Sequence, residues 1–445
     1  MQISINLFKN FMNLQLINVK QLVTVSANKN TSKIGNEMKN LNIIENAFVV
    51  VEDGKIESVG EMKNFSSHKK NFMELDCSNY VVLPGFVDSH THSIFTGSRE
   101  SEFSMRCIGK TYQEIAESGG GILSTVTNVR NSSKKELKKN ARKFLNNMLQ
   151  LGTTTVETKS GYGLDFQNEI KLLECAKELS NEELSTVVST FLGAHAIPKE
   201  FIENKNSYVN IIIEEMIPYV AKKNLAQFCD VFCEKNYFEI DDTKKILESA
   251  IKNNLKIKLH AEELSYLGGV ELGCEFDAVS IDHLEHISES GISALKKNAR
   301  KKNPTVAVLL PGVSFNLNHQ YAPARKIIDN EIPVAIATDF NPGSCMCYSM
   351  PFVMTIAATQ MNLSVEETIS ATTINAACAL GMSDKFGSIE VGKFADMIIF
   401  DLPNYKFIPY HFGENHIKYV IKTGVLLDFW YLQKRQNILD KVVYI

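Results

Sequence analysis

His90 and His92 stand two residues apart at the end of the stretch Pro84-Gly85-Phe86-Val87-Asp88-Ser89-His90-Thr91-His92. In extended backbone, residues i and i+2 face the same side, so both imidazoles address one point. Two neutral imidazoles converging there suit a borderline-soft ion such as zinc, or iron. Taken alone, the pair fits a hydrogen-bonded core equally well. Its company is what sets it apart. His195 closes Gly193-Ala194-His195, His260 opens His260-Ala261-Glu262-Glu263, and His283 and His286 fall in Asp282-His283-Leu284-Glu285-His286. Asp339 opens Asp339-Phe340-Asn341-Pro342-Gly343-Ser344. Six of the ten histidines therefore follow short apolar runs. His90, His92, His260 and Asp339 make a set of three imidazoles and one carboxylate, a donor mix suited to zinc or iron. An ion so held lowers the pKa of a bound water to about 7, which yields a nucleophile at neutral pH. Glu263, three residues after His260, can pass a proton between that water and a leaving nitrogen. His283 titrates near neutrality and can polarise a carbonyl or assist the base.

These residues need elements to bring them together. Strand-like runs end at His92 and occur at 154–156, 187–192, 229–232, 256–259, 279–281, 305–310 and 334–338. Helical patterns lie between most of them, at 134–151, 166–179, 241–253 and 288–299. Eight short apolar strands separated by amphipathic helices read as an α/β fold of the (β/α)8 barrel type, with its site at the C-terminal strand ends. A doubly wound sheet is the rival, but no Gly-rich phosphate turn follows any strand. Both chain ends are β-rich instead, and Asp53-Gly54 between two such runs marks a hairpin. Residues 1–80 and 387–445 are expected to build one small β-sandwich domain, with 1–11 as a tail, around a barrel at 81–386. The run Tyr80-Val81-Val82-Leu83 reads as a buried strand feeding His90 and His92. Gly119-Gly120-Gly121 is either a mobile turn or a place where backbone approaches a ligand.

Composition narrows the field. At 445 residues the chain exceeds one small core, and its formal net charge of −4 argues against a general nucleic-acid partner. No run approaches the ~20 apolar residues of a membrane helix, and no charged-apolar-small leader opens the chain. Nine scattered cysteines read as reduced thiols, which points to a cytoplasmic protein. Cys229-x-x-x-Cys233 and Cys345-x-Cys347 lack the partner pairs of a zinc finger.

With these residues in place, the chain resembles the amidohydrolase superfamily, and within it the imidazolonepropionase family. The stretches that carry the likeness include PGFVDSHTH with FTGSRESEF, GTTTVETKSGYGL, TFLGAHAIP, KLHAEE, DHLEH and ATDFNPGS. GSIEVGKFADMIIFD and HFGENHIKYVIKTG extend it into the β-rich tail. The resemblance implies one Zn(2+) or Fe(3+) ion per subunit, held by His90, His92, His260 and Asp339. It implies that Arg99 takes a substrate carboxylate in two-point contact, where the residue alone reads equally as a surface ion pair with Glu102, while Tyr162 and His195 hydrogen-bond the substrate. Glu263 would act on the water and the substrate, and His283 would support it. Asn341, Gly343 and Ser344 would touch substrate or product. The implied substrate is the small molecule 4-imidazolone-5-propanoate, opened to N-formimidoyl-L-glutamate in histidine degradation, by a homodimer needing neither membrane nor nucleic acid. Two rivals stand beside it: a deaminase of a cyclic amidine such as guanine or cytosine, and a barrel kept as a scaffold.

Overall fold

The computed structural model describes residues 13–27, 31–66, 71–110, 114 and 120–428. The expected tail at 1–11 and Gly119 of the triple glycine lie outside the described residues. Eight parallel strands follow one another round a sheet: β1 Phe86–Asp88, β2 Thr153–Lys159, β3 Thr186–Ala194, β4 Phe228–Cys233, β5 Lys256–Ala261, β6 Ser280–His283, β7 Val306–Leu309 and β8 Val334–Ile336. The sheet closes just beyond the ends of β8 and β1. Thr91 bridges Phe340 in parallel, the His92 amide donates to Phe340 O at 2.9 Å, and the Asp339 amide donates to His90 O at 3.0 Å. Closure thus runs through the segments that carry His90, His92 and Asp339. Helices Lys134–Gln150, Phe166–Glu182, Ile240–Lys252 and Glu289–Asn298 stand where the apolar spacing places them. The first is started by a capping box in which Ser133 and Glu136 satisfy each other's amides.

The small domain is a second sheet of eight strands drawn from both chain ends. Its order is Val425–Leu427, Ile417–Lys422, Met397–Phe400, Val81–Pro84, Leu14–Val23, Ile43–Glu52, Lys55–Glu61, with Met73–Asp76 also paired to Leu14–Val23. Asp53 and Gly54 make the expected two-residue hairpin, both at positive φ. Leu14–Val23 bends at an irregularity between Leu16 and Val19 and pairs one half with Met73–Asp76, the other with Val81–Pro84. The sheet thereby folds over into a sandwich around Leu16, Val49, Val82, Met397 and Ile399.

Val81–Pro84 does not run on into the histidines as a barrel strand; it pairs with Leu14–Val23 and Met397–Phe400. The chain crosses to the barrel at Gly85, whose amide still donates to Asp396 O at 2.9 Å. The apolar run is continuous because Val81 and Leu83 pack into the barrel's core while Val82 packs into the sandwich. Burial on both faces looks the same in sequence whichever sheet supplies the hydrogen bonds. All nine cysteines are free.

Candidate active site

His90 and His92 flank Thr91, whose hydroxyl donates to Glu157 O at 2.6 Å, so the segment after β1 is tied to β2 as well as to Phe340. His260 lies at the end of β5 and Asp339 just past β8. The four come together. His90 Nε2 and His92 Nε2 each lie 3.4 Å from Asp339 Oδ1, and the His90 and His260 rings are 4.5 Å apart. His90 Nε2, His260 Nε2 and Asp339 Oδ1 are buried and make no hydrogen bond. Atoms of that kind, left unpaired in a protein interior, need an explanation. A shared ion supplies one: with bonds of about 2.0–2.2 Å, tetrahedral donors stand about 3.4 Å apart. Two overlapping groups, His90, His92 and Asp339 and His90, His260 and His283, each bring donor atoms close enough to hold a metal ion. His283 comes closer than expected, since its ligand atoms gather with those of His90 and His260 inside 4.8 Å.

The far sides of two rings are also fixed. His90 Nδ1 lies 2.6 Å from Asp282 Oδ2, and His260 Nδ1 lies 3.0 Å from Asp230 Oδ1. Each carboxylate assigns the proton to Nδ1 and turns the Nε2 lone pair toward the centre. Burial pushes His90 well below its usual pKa, pushes His92 down to about 3 and lowers His260, with Lys159 adding to the effect. The rings are therefore neutral, the form that binds a metal. Glu262, His283 and Asp339 have φ of 58°, 84° and 46°. Non-glycine residues rarely occupy this left-handed region, and three of them border one centre.

Beside the donors, His283 Nε2 lies 3.5 Å from Glu263 Oε2, and His283 Nδ1 lies 3.7 Å from Glu285 Oε2. Burial pushes the Glu263 carboxyl up to about 7. Burial also opposes charge on His283, but Glu263, Glu285 and Asp339 outweigh it and carry the imidazole up to about 10. Glu234, directly after β4, is committed to backbone donors. It accepts the amides of Leu264 at 2.9 Å and Ser265 at 3.3 Å, so it clamps the chain directly after Glu263.

The pocket wall lies across from this pair. His195 stacks on His92 with ring centroids 5.0 Å apart, and Tyr162 stands 5.6 Å from His92 and 5.5 Å from His195. His195 Nδ1 lies 3.0 Å from Gly161 O. A Cβ on Gly161, which sits at φ 102°, would come within 2.8 Å of that nitrogen. The loop is held from below by the buried Glu169, which accepts the amides of Gly161, Gly163 and Leu164 at 3.0, 2.7 and 2.9 Å.

Arg99 spends Nε and Nη2 on Glu102, at 2.9 and 2.7 Å. Its two-point fork is thus filled from within the chain, and Nη1 is what remains, packed against Gly343. Arg106 Nη2 donates to Gly343 O at 3.2 Å, bringing a second guanidinium to the same turn. Asn341 uses its whole amide inside that turn. Oδ1 accepts the Gly343 and Ser344 amides at 2.8 Å each, and Nδ2 donates to Asp339 O and Ser344 Oγ. His286 stays outside the centre, beside Gln320.

The family model described as "Amidohydrolase family" matches residues 81–427. The chain is 45% identical over 414 residues to the imidazolonepropionase of Clostridium tetani, covering 93% of this chain and 97% of that one. It is 46% identical over 416 residues to the imidazolonepropionase of Fusobacterium nucleatum, covering 93% and 98%. The chain belongs to the amidohydrolase family, within its imidazolonepropionase group. Among solved structures, an adenosine deaminase from Xanthomonas campestris with bound zinc superposes with a TM-score of 0.69 at 16% identity, covering 98% of this chain and 99% of that one. At that identity the likeness is one of fold.

Sequence reasoning missed the layer beneath the amidohydrolase centre. Lys159 Nζ lies 2.7 Å from Asp230 Oδ2 and 3.0 Å from Glu157, while Lys258 Nζ lies 3.1 Å from Glu157 and 2.7 Å from Ser89 O. All these side chains are fully buried. Charged residues inside otherwise apolar barrel strands were the available signal, because such groups are buried only when paired.

Proposed function

We propose that this amidohydrolase opens the ring of 4-imidazolone-5-propanoate, hydrolysing its cyclic amide to N-formimidoyl-L-glutamate in histidine degradation. The observation that carries the reading is the unpartnered triad of His90 Nε2, His260 Nε2 and Asp339 Oδ1, with Glu263 beside it and arginines at the turn above. The names of the similar proteins from Clostridium tetani and Fusobacterium nucleatum support the same substrate.

His90, His92, His260 and Asp339 hold one Zn(2+) or Fe(3+) ion per subunit, since both ions accept this donor set. When bound, the ion supplies Lewis acidity and makes water nucleophilic near neutral pH. The chain does the rest. Glu263 takes the proton from the attacking water and returns it to the ring nitrogen as the amide bond breaks. His283, charged at neutral pH, holds the Glu263 carboxylate and sets positive charge beside the developing oxyanion. With its Nδ1 proton given to Gly161 O, His195 offers Nε2 to a ring N–H. The Tyr162 hydroxyl, its pKa raised by burial, stays protonated as a donor. Arg99 Nη1 and Arg106 attract the propionate carboxylate. Asn341 shapes the turn so that Gly343 and Ser344 face it. In this division the barrel, from Phe86 onward, carries the chemistry, and the small β domain, whose sheet includes Val81–Pro84, braces it. The working form is a homodimer.

Incubating the purified protein with the substrate tests the reading. Loss of imidazolone absorbance without ammonia is the expected result. Ammonia release from a cyclic amidine, with the imidazolone untouched, would favour a deaminase.

A further inference from the structure

Away from the barrel mouth, a second group of side chains gathers donors of the kind that bind metals. Strands Met397–Phe400 and Ile417–Lys422 are antiparallel neighbours joined through the short helix Phe407–Tyr410. In the turn before Ile417, donor atoms of His411, Glu414 and His416 all lie within 4.8 Å of one another, and the two rings are 4.7 Å apart. None of the three side chains is used elsewhere among the described residues: no hydrogen bond or ion pair engages them, and His416 Nε2 is buried with no partner.

The backbone holds these donors in place. The His411 amide donates to Phe407 O at 2.9 Å, and the Asp401 amide donates to His416 O at 3.0 Å. Gly413, at φ 94°, reverses the chain between them. Asn415 accepts the Ile417 amide at 3.1 Å and donates Nδ2 to Gln150 O at 3.2 Å. Gln150 ends the helix that leads into β2, so the cluster sits by the N-terminal face of the barrel, opposite the mouth.

We propose that His411, Glu414 and His416 form a second metal site, which takes one borderline divalent cation of the zinc class. Two imidazoles with one carboxylate select such an ion over calcium or magnesium, which take oxygen donors. Donors around an ion with bonds of about 2.0–2.2 Å stand about 3.4 Å apart, so the side chains close by roughly an ångström, with water completing the shell. The bound ion pins the connection between the two strands to the sandwich and stabilises the fold without entering the reaction.

The test titrates Zn(2+) into holoenzyme whose barrel centre is already loaded, following bound metal and Tm. Wild type should take up a second equivalent per chain and gain Tm as it does. The double variant His411→Gln/His416→Gln should stop at one equivalent, show no gain in Tm and keep wild-type ring-opening activity. Wild type that binds only one equivalent, or a double variant that still binds two, would overturn the proposal. Both substituted side chains lie at the surface or half-buried, and far-UV circular dichroism checks that the variant is folded.

Discussion

A buried carboxyl pushed up to about 7 works as a base only after it has lost its proton, so ring opening should accelerate as pH rises through the ionisation of Glu263. A cation in the adjoining donor cage favours the carboxylate and draws that ionisation toward the ordinary glutamate value of about 4.3. The acid limb of the kcat/KM profile should therefore fall between about 4.3 and the 7 that burial and the neighbouring charges set without the ion. Glu263→Gln should remove that limb and lower kcat by about 10²–10⁴-fold, with metal content unchanged by elemental analysis. Asp282→Asn and Asp230→Asn act through His90 and His260, so each should weaken metal retention by about 10–100-fold in chelator competition. The two aspartates also mark how far the sequence could be read at this scale. His260 and Asp339 were legible because each follows an apolar run whose strand end must face the barrel mouth, and His90 and His92 because their i, i+2 spacing turns both rings to one side. Asp230 sits within a strand, and only the fold shows that its carboxylate meets His260. The ion pair of Arg99 with Glu102 was the alternative to a substrate contact that the sequence itself offered, and their i, i+3 spacing at helix Glu100–Cys107 brings it about.

Loops at this site are held by single buried groups from neighbouring elements. Glu169, on helix Phe166–Glu182, holds the loop that carries Tyr162 through three backbone amides. Glu169→Ala strands those donors, so it should cost about 3 kcal/mol in urea unfolding and raise KM as Tyr162 loses its place. The two helices flanking β2 carry a further surprise. The stretch from Lys134 to Asn147, rich in lysine and asparagine, reads in sequence as a solvated face. Lys138 instead lies between Glu178 and Glu182 at 2.7 and 2.6 Å, and Arg142 reaches Glu182 and Glu183 at 2.6 and 2.5 Å. Partly exposed pairs of this type are worth about 0.2–1 kcal/mol each. Lys138→Ala should therefore lower stability within that range, and less in high salt. Helix spans were readable from apolar spacing because one stripe of each must face the barrel. Pairing between polar faces was not, since it depends on how two helices lie side by side. The strand Val81–Pro84 was misassigned for a similar reason: its pattern records burial, and its partner strands, Leu14–Val23 and Met397–Phe400, come from opposite ends of the chain.

Across the whole molecule, the donor cage is also the barrel's seam. His90 and Asp339 are joined through backbone where β1 and β8 meet, so an ion between their side chains would clamp the closure. Chelation should lower Tm, and returning the ion should restore it, by about 4 kcal/mol of stability when metal exceeds its Kd a thousandfold. Asp339→Ala should show no such response at the barrel centre. Metal titration of chelator-stripped protein, with ring opening as the readout, tests the central claim most directly. Activity should rise in proportion to added ion and level off at one equivalent per chain, while Asp339→Ala stays inactive throughout. Wild-type turnover by the stripped protein, with no ion added, would contradict the account.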